Sequence, residues 1–126
     1  MANKTRNVEW RQRSKNYGSS DVVTQVTAAT TDTCVLTHPI VKIDSAAGAV
    51  TTFTLPDGEP GQILMLISTD AADVDVKPTT ATGWSVIALD AIGDTAVLFY
   101  ANDTDGWVIK SLYSVAVDSS PAYTAA

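Results

Sequence analysis

Only a few positions in this 126-residue chain pair residue types at spacings that chemistry uses. Cys34 and His38 stand four apart, the spacing of two metal ligands on one helical face. They lie in β-rich sequence beside Pro39, and no second Cys or His completes a zinc set, so zinc is not expected. His38 is the single histidine, and a Ser-His-Asp reading finds no Gly-x-Ser-x-Gly elbow to support it. Its place at a loop-to-strand junction favours a structural or exposed role. Asp73 and Asp75 share one face of an alternating segment, as a glycosidase pair would, but no Glu joins them and surface alternation explains them.

The stretch Asn102-Asp103-Thr104-Asp105-Gly106 admits three readings. As a calcium loop opening at Asp103, its twelfth position is Ser114 rather than Glu, and the intervening Trp107 to Leu112 reads as a strand that cannot wrap an ion. As a sugar acceptor, Asn102 and the second triplet at Asn3-Lys4-Thr5 both require a secretory route, and no apolar signal segment opens the chain. As a hairpin turn it needs no further assumption, because Asn and Asp accept left-handed backbone and Gly106 can end the loop. The hairpin reading is preferred. No phosphate-cradling glycine loop with a Lys and no dinucleotide fingerprint is present in the sequence. No catalytic residue, cofactor or metal is expected, and the chain is not expected to be an enzyme.

The elements around these positions read as strands. Val22 to Thr27 is a β-branched run, and Thr33 to Leu36 and Ile40 to Ile43 flank Thr37-His38-Pro39. Val50 to Leu55 alternates through threonines, then Pro56 to Gly61 turns the chain. Gln62 to Ile67, Asp73 to Lys77, Trp84 to Leu89, Thr95 to Ala101 and Trp107 to Leu112 follow, and Tyr113 to Val117 continues the last after a bend. Short strands at this spacing predict an all-β fold: one small β-sandwich, jelly-roll-like, over residues 21–118. An N-terminal arm, 1–20, precedes it and a small-residue tail, 119–126, follows. The strands beginning at Ile63 and Thr95 are apolar on both faces. Outer faces covered by other subunits would explain this, and so would a central hairpin buried within a monomer. A homo-oligomer is expected.

Composition agrees with strands: Thr, Ala, Val and Asp dominate, and Lys and Glu are scarce. A single cysteine excludes an intrachain disulfide, and the longest apolar run is strand-sized rather than membrane-spanning. Charge is split. Lys4, Arg6, Arg11, Arg13 and Lys15, against Glu9, leave residues 1–15 at +4 and the remainder at −10. The body should repel nucleic acid and anionic membrane. The arm reads as a solvated terminus or as a segment ordered by an acidic partner, by nucleic acid or by a neighbouring body. Trp10, an aromatic anchor among basic residues, tilts this toward docking.

From about Thr52 to Leu112, half of the chain, the sequence resembles a β-rich module of virion accessory proteins in tailed bacteriophages. The resemblance rests on "FTLPDGEPGQILMLI", "VKPTTATGWSVIALDAIGDTAVLFY" and "DGWVI". Its key positions are Leu55, Pro56, Asp57, Gly58, Gly61, Gln62, Val76, Pro78, Gly93, Asp94, Gly106 and Trp107. It implies jelly-roll-like or related sandwiches that often trimerise and serve as capsid decoration (cement) proteins or as parts of fibres and spikes. On that basis the chain is expected to be a homotrimer on the outer capsid surface, made in a bacterial cytoplasm. Its partner would be the major capsid protein, without direct contact to nucleic acid or membrane. The arm, lying outside the matched region, would supply Lys4, Arg6, Trp10, Arg11, Arg13 and Lys15 as partner contacts. The alternative is a fibre or spike module recognising a host glycan, with Trp84, Trp107 and Tyr113 as aromatic platforms.

Overall fold

The computed structural model describes residues 21–27, 30–45, 51–70, 73–113 and 122–124. The arm and its six named contacts lie outside the described residues. The strands are β1 (Val22–Val26), β2 (Thr31–Thr33), β3 (Ile40–Asp44), β4 (Thr51–Leu55), β5 (Ile63–Ser68), β6 (Val74–Pro78), β7 (Val86–Leu89), β8 (Thr95–Tyr100), β9 (Trp107–Tyr113) and β10 (Ala122–Thr124). They form two five-stranded sheets, in the order β1-β3-β5-β8-β9 in the first and β10-β7-β6-β4-β2 in the second. The all-β sandwich expectation is met.

Connectivity shows how the sandwich is made. The first six strands alternate between the sheets, so each strand lies parallel to the one two places before it: β1 with β3, β3 with β5, β2 with β4, β4 with β6. The chain winds as a short coil with one strand per sheet per turn. After β6 the winding stops. β7 turns back antiparallel on β6, β8 on β5, β9 on β8 and β10 on β7. The jelly-roll detail is not confirmed, since that arrangement is built from antiparallel Greek keys and this one is half parallel.

Alternation fills the space between the sheets. Val41, Ile43, Leu64, Leu66, Ala96, Leu98, Tyr100 and Trp107 project from the first sheet. Phe53, Leu55, Val74, Val76, Ile87 and Leu89 meet them from the second, with Cys34 and Trp84 at the margins. Each fully buried Leu, Ile or Phe contributes about 1.5–3 kcal/mol before conformational entropy is set against it.

Some boundaries differ from expectation. The strand expected at Thr33 to Leu36 sits two residues earlier, and Cys34 still donates its N–H to the Thr54 carbonyl at 2.8 Å. Trp84 and Ser85 precede β7 rather than opening it. Ala122–Thr124 pairs with β7, adding a strand where composition showed only a small-residue tail. The expected continuation at Tyr113 to Val117 leaves the described residues after Tyr113.

β1 and β2 are the edge strands at the start of the winding. Thr30 O and Cys34 N bond to β4, so by alternation the backbone groups of Thr33 and Val35 point away from the sheet. The Gln25 side chain occupies them: Nε2 donates to Thr33 O at 2.7 Å and Val35 N donates to Oε1 at 3.0 Å. Thr33 N donates to Asp32 Oδ1 at 2.8 Å. One amide side chain from the first sheet thereby closes the edge of the second.

The hairpin between β8 and β9 depends on Gly106. Its φ is +67°, and an added Cβ would overlap the Thr80 carbonyl. Gly106→Ala therefore meets left-handed strain and a backbone clash together, and should cost about 2–4 kcal/mol. Urea denaturation should show a lower midpoint with an unchanged slope.

Candidate functional site

The Asn102–Gly106 stretch that first suggested chemistry is tied down by its own side chains. In that stretch, Asn102 Oδ1 accepts from the N–H groups of Thr104 and Asp105 at 2.9 and 2.8 Å, and its carbonyl accepts from Gly106 N at 2.8 Å. Asn102 Nδ2 donates to Asp105 Oδ2 at 3.0 Å, and the Tyr100 hydroxyl donates to Asp103 Oδ1 at 2.9 Å. Burial first, and then the bond to Asp103, pushes the Tyr100 phenol up to about 12. The stretch is the hairpin loop joining β8 to β9, tied down by its own polar side chains.

Cys34 and His38 are not brought together as a pair. Cys34 faces the core with its Sγ 3.3 Å from the Val35 carbonyl, whereas the half-buried His38 exchanges a 2.8 Å hydrogen bond with Thr37 through Nδ1. Burial, and then the Asp32 charge, pushes the Cys34 thiol up to about 12, so it is neither a nucleophile nor a thiolate ligand near neutral pH. Asp73 is exposed ahead of β6, and Asp75 sits on the outward face of β6 beside Thr52 and Ala88. Among the described residues, no three His, Cys, Asp or Glu gather as a metal cluster. A shallow depression of about 230 Å³ is lined by Thr82, Gly83, Trp84, Val108 and Ile109, which carry no titratable group.

One polar pair was not singled out from sequence. Asp94 is fully buried in the turn from β7 to β8, and its Oδ2 accepts from Asp90 N and Ala91 N, both at 3.1 Å. Its Oδ1 is buried without a partner among the described residues. Desolvation, then the neighbouring Asp94 carboxyl and the charge of Asp73, raises the carboxyl of the exposed Asp90 above the ordinary range, against a backbone hydrogen bond that lowers it. The available signal was Asp-x-x-x-Asp across a turn whose Gly93 has φ +91°.

The surface that stands out is a sheet face. Cross-strand register places outward side chains of the first sheet in rows. One row holds Val22, Ile40, Met65, Val97 and Ser111. The next holds Thr24, Lys42, Ile67, Thr95 and Tyr113. A third, at the loop end, holds Ile63, Phe99 and Val108. Ile63 is 50% exposed, Phe99 37% and Tyr113 62%, while Met65, Ile67 and Val97 are half-buried. The outward face of the second sheet is polar by contrast: Thr31, Thr52 and Asp75 run into Ala88, and Thr33 and Thr54 lead to Lys77. The two strands expected to be apolar on both faces, β5 and β8, are neighbours at the centre of this apolar face. Of the three aromatic platforms considered for a glycan, Trp84 and Trp107 are buried and Tyr113 is exposed.

Two outcomes follow from these environments. Native protein should leave Cys34 unreacted with a disulfide reagent even at pH 9, and one thiol per chain should appear after unfolding in urea. A carboxyl whose pKa is raised in the fold contributes stability at acid pH that is lost as pH rises through the folded value. Asp90→Asn should thus flatten the pH dependence of stability above pH 4 and raise the urea midpoint at pH 7, where the new amide can donate to Asp94 Oδ1.

No protein-family model and no curated protein matches this sequence.

Proposed function

We propose that the chain is a bacteriophage virion structural protein, a capsid decoration (cement) protein that binds the outer capsid surface as an oligomer and stabilises the shell. The observation that carries this reading is the contrast between the sandwich's outward faces. The second sheet presents threonine, aspartate and lysine to water, whereas the first presents Ile63, Met65, Ile67, Val97, Phe99 and Val108. A sheet apolar on both sides is suited to lie between its own core and another protein. The polar side chains of the Asn102–Asp105 loop are engaged within the scaffold, which suits a protein that acts by occupying a surface.

The mechanism is linkage. A protein that binds the assembled shell and not its dissociated subunits lowers the free energy of the shell in proportion to occupancy. Several contacts per oligomer add through effective concentration, so each can be weak. The expected trimer would bring three arms, each carrying Lys4, Arg6, Trp10, Arg11, Arg13 and Lys15, to bear on neighbouring acidic surfaces. The body, at −10, would keep decorated particles from aggregating.

A fibre or spike module that recognises a host glycan is the second reading. The parallel winding of β1 to β6 favours it, because coils of this kind can repeat along an axis. Burial of Trp84 and Trp107 counts against the glycan part, since stacking on a sugar needs an open ring.

Copy number separates the two. Quantitative mass spectrometry of purified particles should find hundreds of copies, all in the head fraction. A handful, confined to tails, would overturn the decoration reading.

A further inference from the structure

We propose that the apolar outward face of the first sheet is covered by residues 1–20 of a neighbouring copy, so that the oligomer is held together by exchanged arms. This rests on the oligomeric decoration reading and names the partner of that face. Three observations select the occupant. The first is charge. The body carries −10, and the loops at one end of the apolar rows add exposed Asp57, Glu59, Asp103 and Asp105 around Ile63 and Phe99. Two such bodies packed face to face would repel, whereas a segment at +4 is drawn to an apolar floor with an acidic rim.

The second is chemistry. The arm sets Trp10 between Lys4 and Arg6 on one side and Arg11, Arg13 and Lys15 on the other. The indole suits the floor formed by Met65, Val97 and Phe99, and the long basic stems can reach across apolar surface to the acidic rim. The third is length and point of attachment. The arm joins at Asp21, directly before β1, which is the edge strand of this same sheet. Twenty extended residues reach about 65 Å, and five strands at about 4.8 Å spacing measure roughly 19 Å across. An arm leaving one sheet edge therefore has length to bridge a gap and cross a neighbour's whole sheet. Donating an arm and receiving one at each copy closes on itself under rotational symmetry, leaving no face bare.

The test uses purified full-length protein, without phage. Full-length chain should sediment as a closed oligomer that falls to monomer when residues 1–20 are removed. Trp10→Ala and the double variant Arg11→Glu, Arg13→Glu, each checked for native circular dichroism, should weaken association at least tenfold. High salt should weaken the wild type likewise. Mixing chains carrying only Arg11→Cys with chains carrying only Val97→Cys should give an intermolecular disulfide, with buried Cys34 silent. An oligomer that persists without the arm overturns the proposal. So does a full-length monomer whose cysteines, placed together in one chain, cross-link only within that chain. Either result leaves the copy number on heads unaffected, so the failure of arm exchange is distinguishable from the failure of the decoration reading.

Discussion

The indole of Trp107 is the constraint on which the rest of this sandwich depends. Its ring is fully buried, set edge-on to Tyr100 at 5.1 Å and 72°, and its Nε1–H donates to the Pro56 carbonyl at 2.8 Å. Its backbone carries as much. Trp107 N donates to Thr80 O at 2.9 Å, and Trp107 O accepts from Trp84 Nε1 at 2.9 Å and from Thr82 N at 3.2 Å. One residue thus fastens the loop before β5, the loop between β6 and β7, and the hairpin of β8 and β9. The space around it is closely filled. A Cβ on Gly58 would stand 2.8 Å from the indole, and Gly106, the residue before Trp107, has no room for one. The Leu-Pro-Asp-Gly and Gly-Trp segments, far apart in sequence, are therefore two sides of one contact.

How much of this was legible depends on the range of the interaction involved. Val22 to Val26, Ile63 to Ile67 and Thr95 to Tyr100 announced themselves as strands because β-branched and apolar side chains fit a pleated surface wherever it pairs. The pairing itself was hidden. Nothing local tells Val22 to lie beside Ile40 in parallel, and the winding follows from contacts between segments about twenty residues apart. β2 was misplaced because Asp32 is a poor strand former that an edge position tolerates, and β10 went unseen because three residues are too few to show a period. Trp84 reads as a strand residue by type, yet its indole N–H requires an acceptor and finds one by sitting in the preceding loop.

The candidate surface was legible in part. Two strands apolar on both faces were legible, and β5 and β8 do lie side by side at the centre of one apolar outward face. What one strand could not disclose was that Val108 and Tyr113 from β9 and Ile40 from β3 extend it, since membership of a row is set by register. The Asp90–Asp94 pair escaped notice for the opposite reason. Its geometry is local, but its cost lies in Asp94 being buried, and burial is a property of the whole fold.

The Gln25 amide has a wider consequence than closing an edge. A winding with one strand per sheet per turn is an open-ended design: another turn could always be laid on the first, from a second molecule as readily as from the same one. By taking the outward Thr33 carbonyl and Val35 N–H, Gln25 occupies the rung that a further turn would need on the second sheet, leaving β1 alone of the two edges to accept a partner. Growth end on end would then have to proceed on one sheet without the other. A single side chain thereby withholds from any further turn two of the backbone groups it would need.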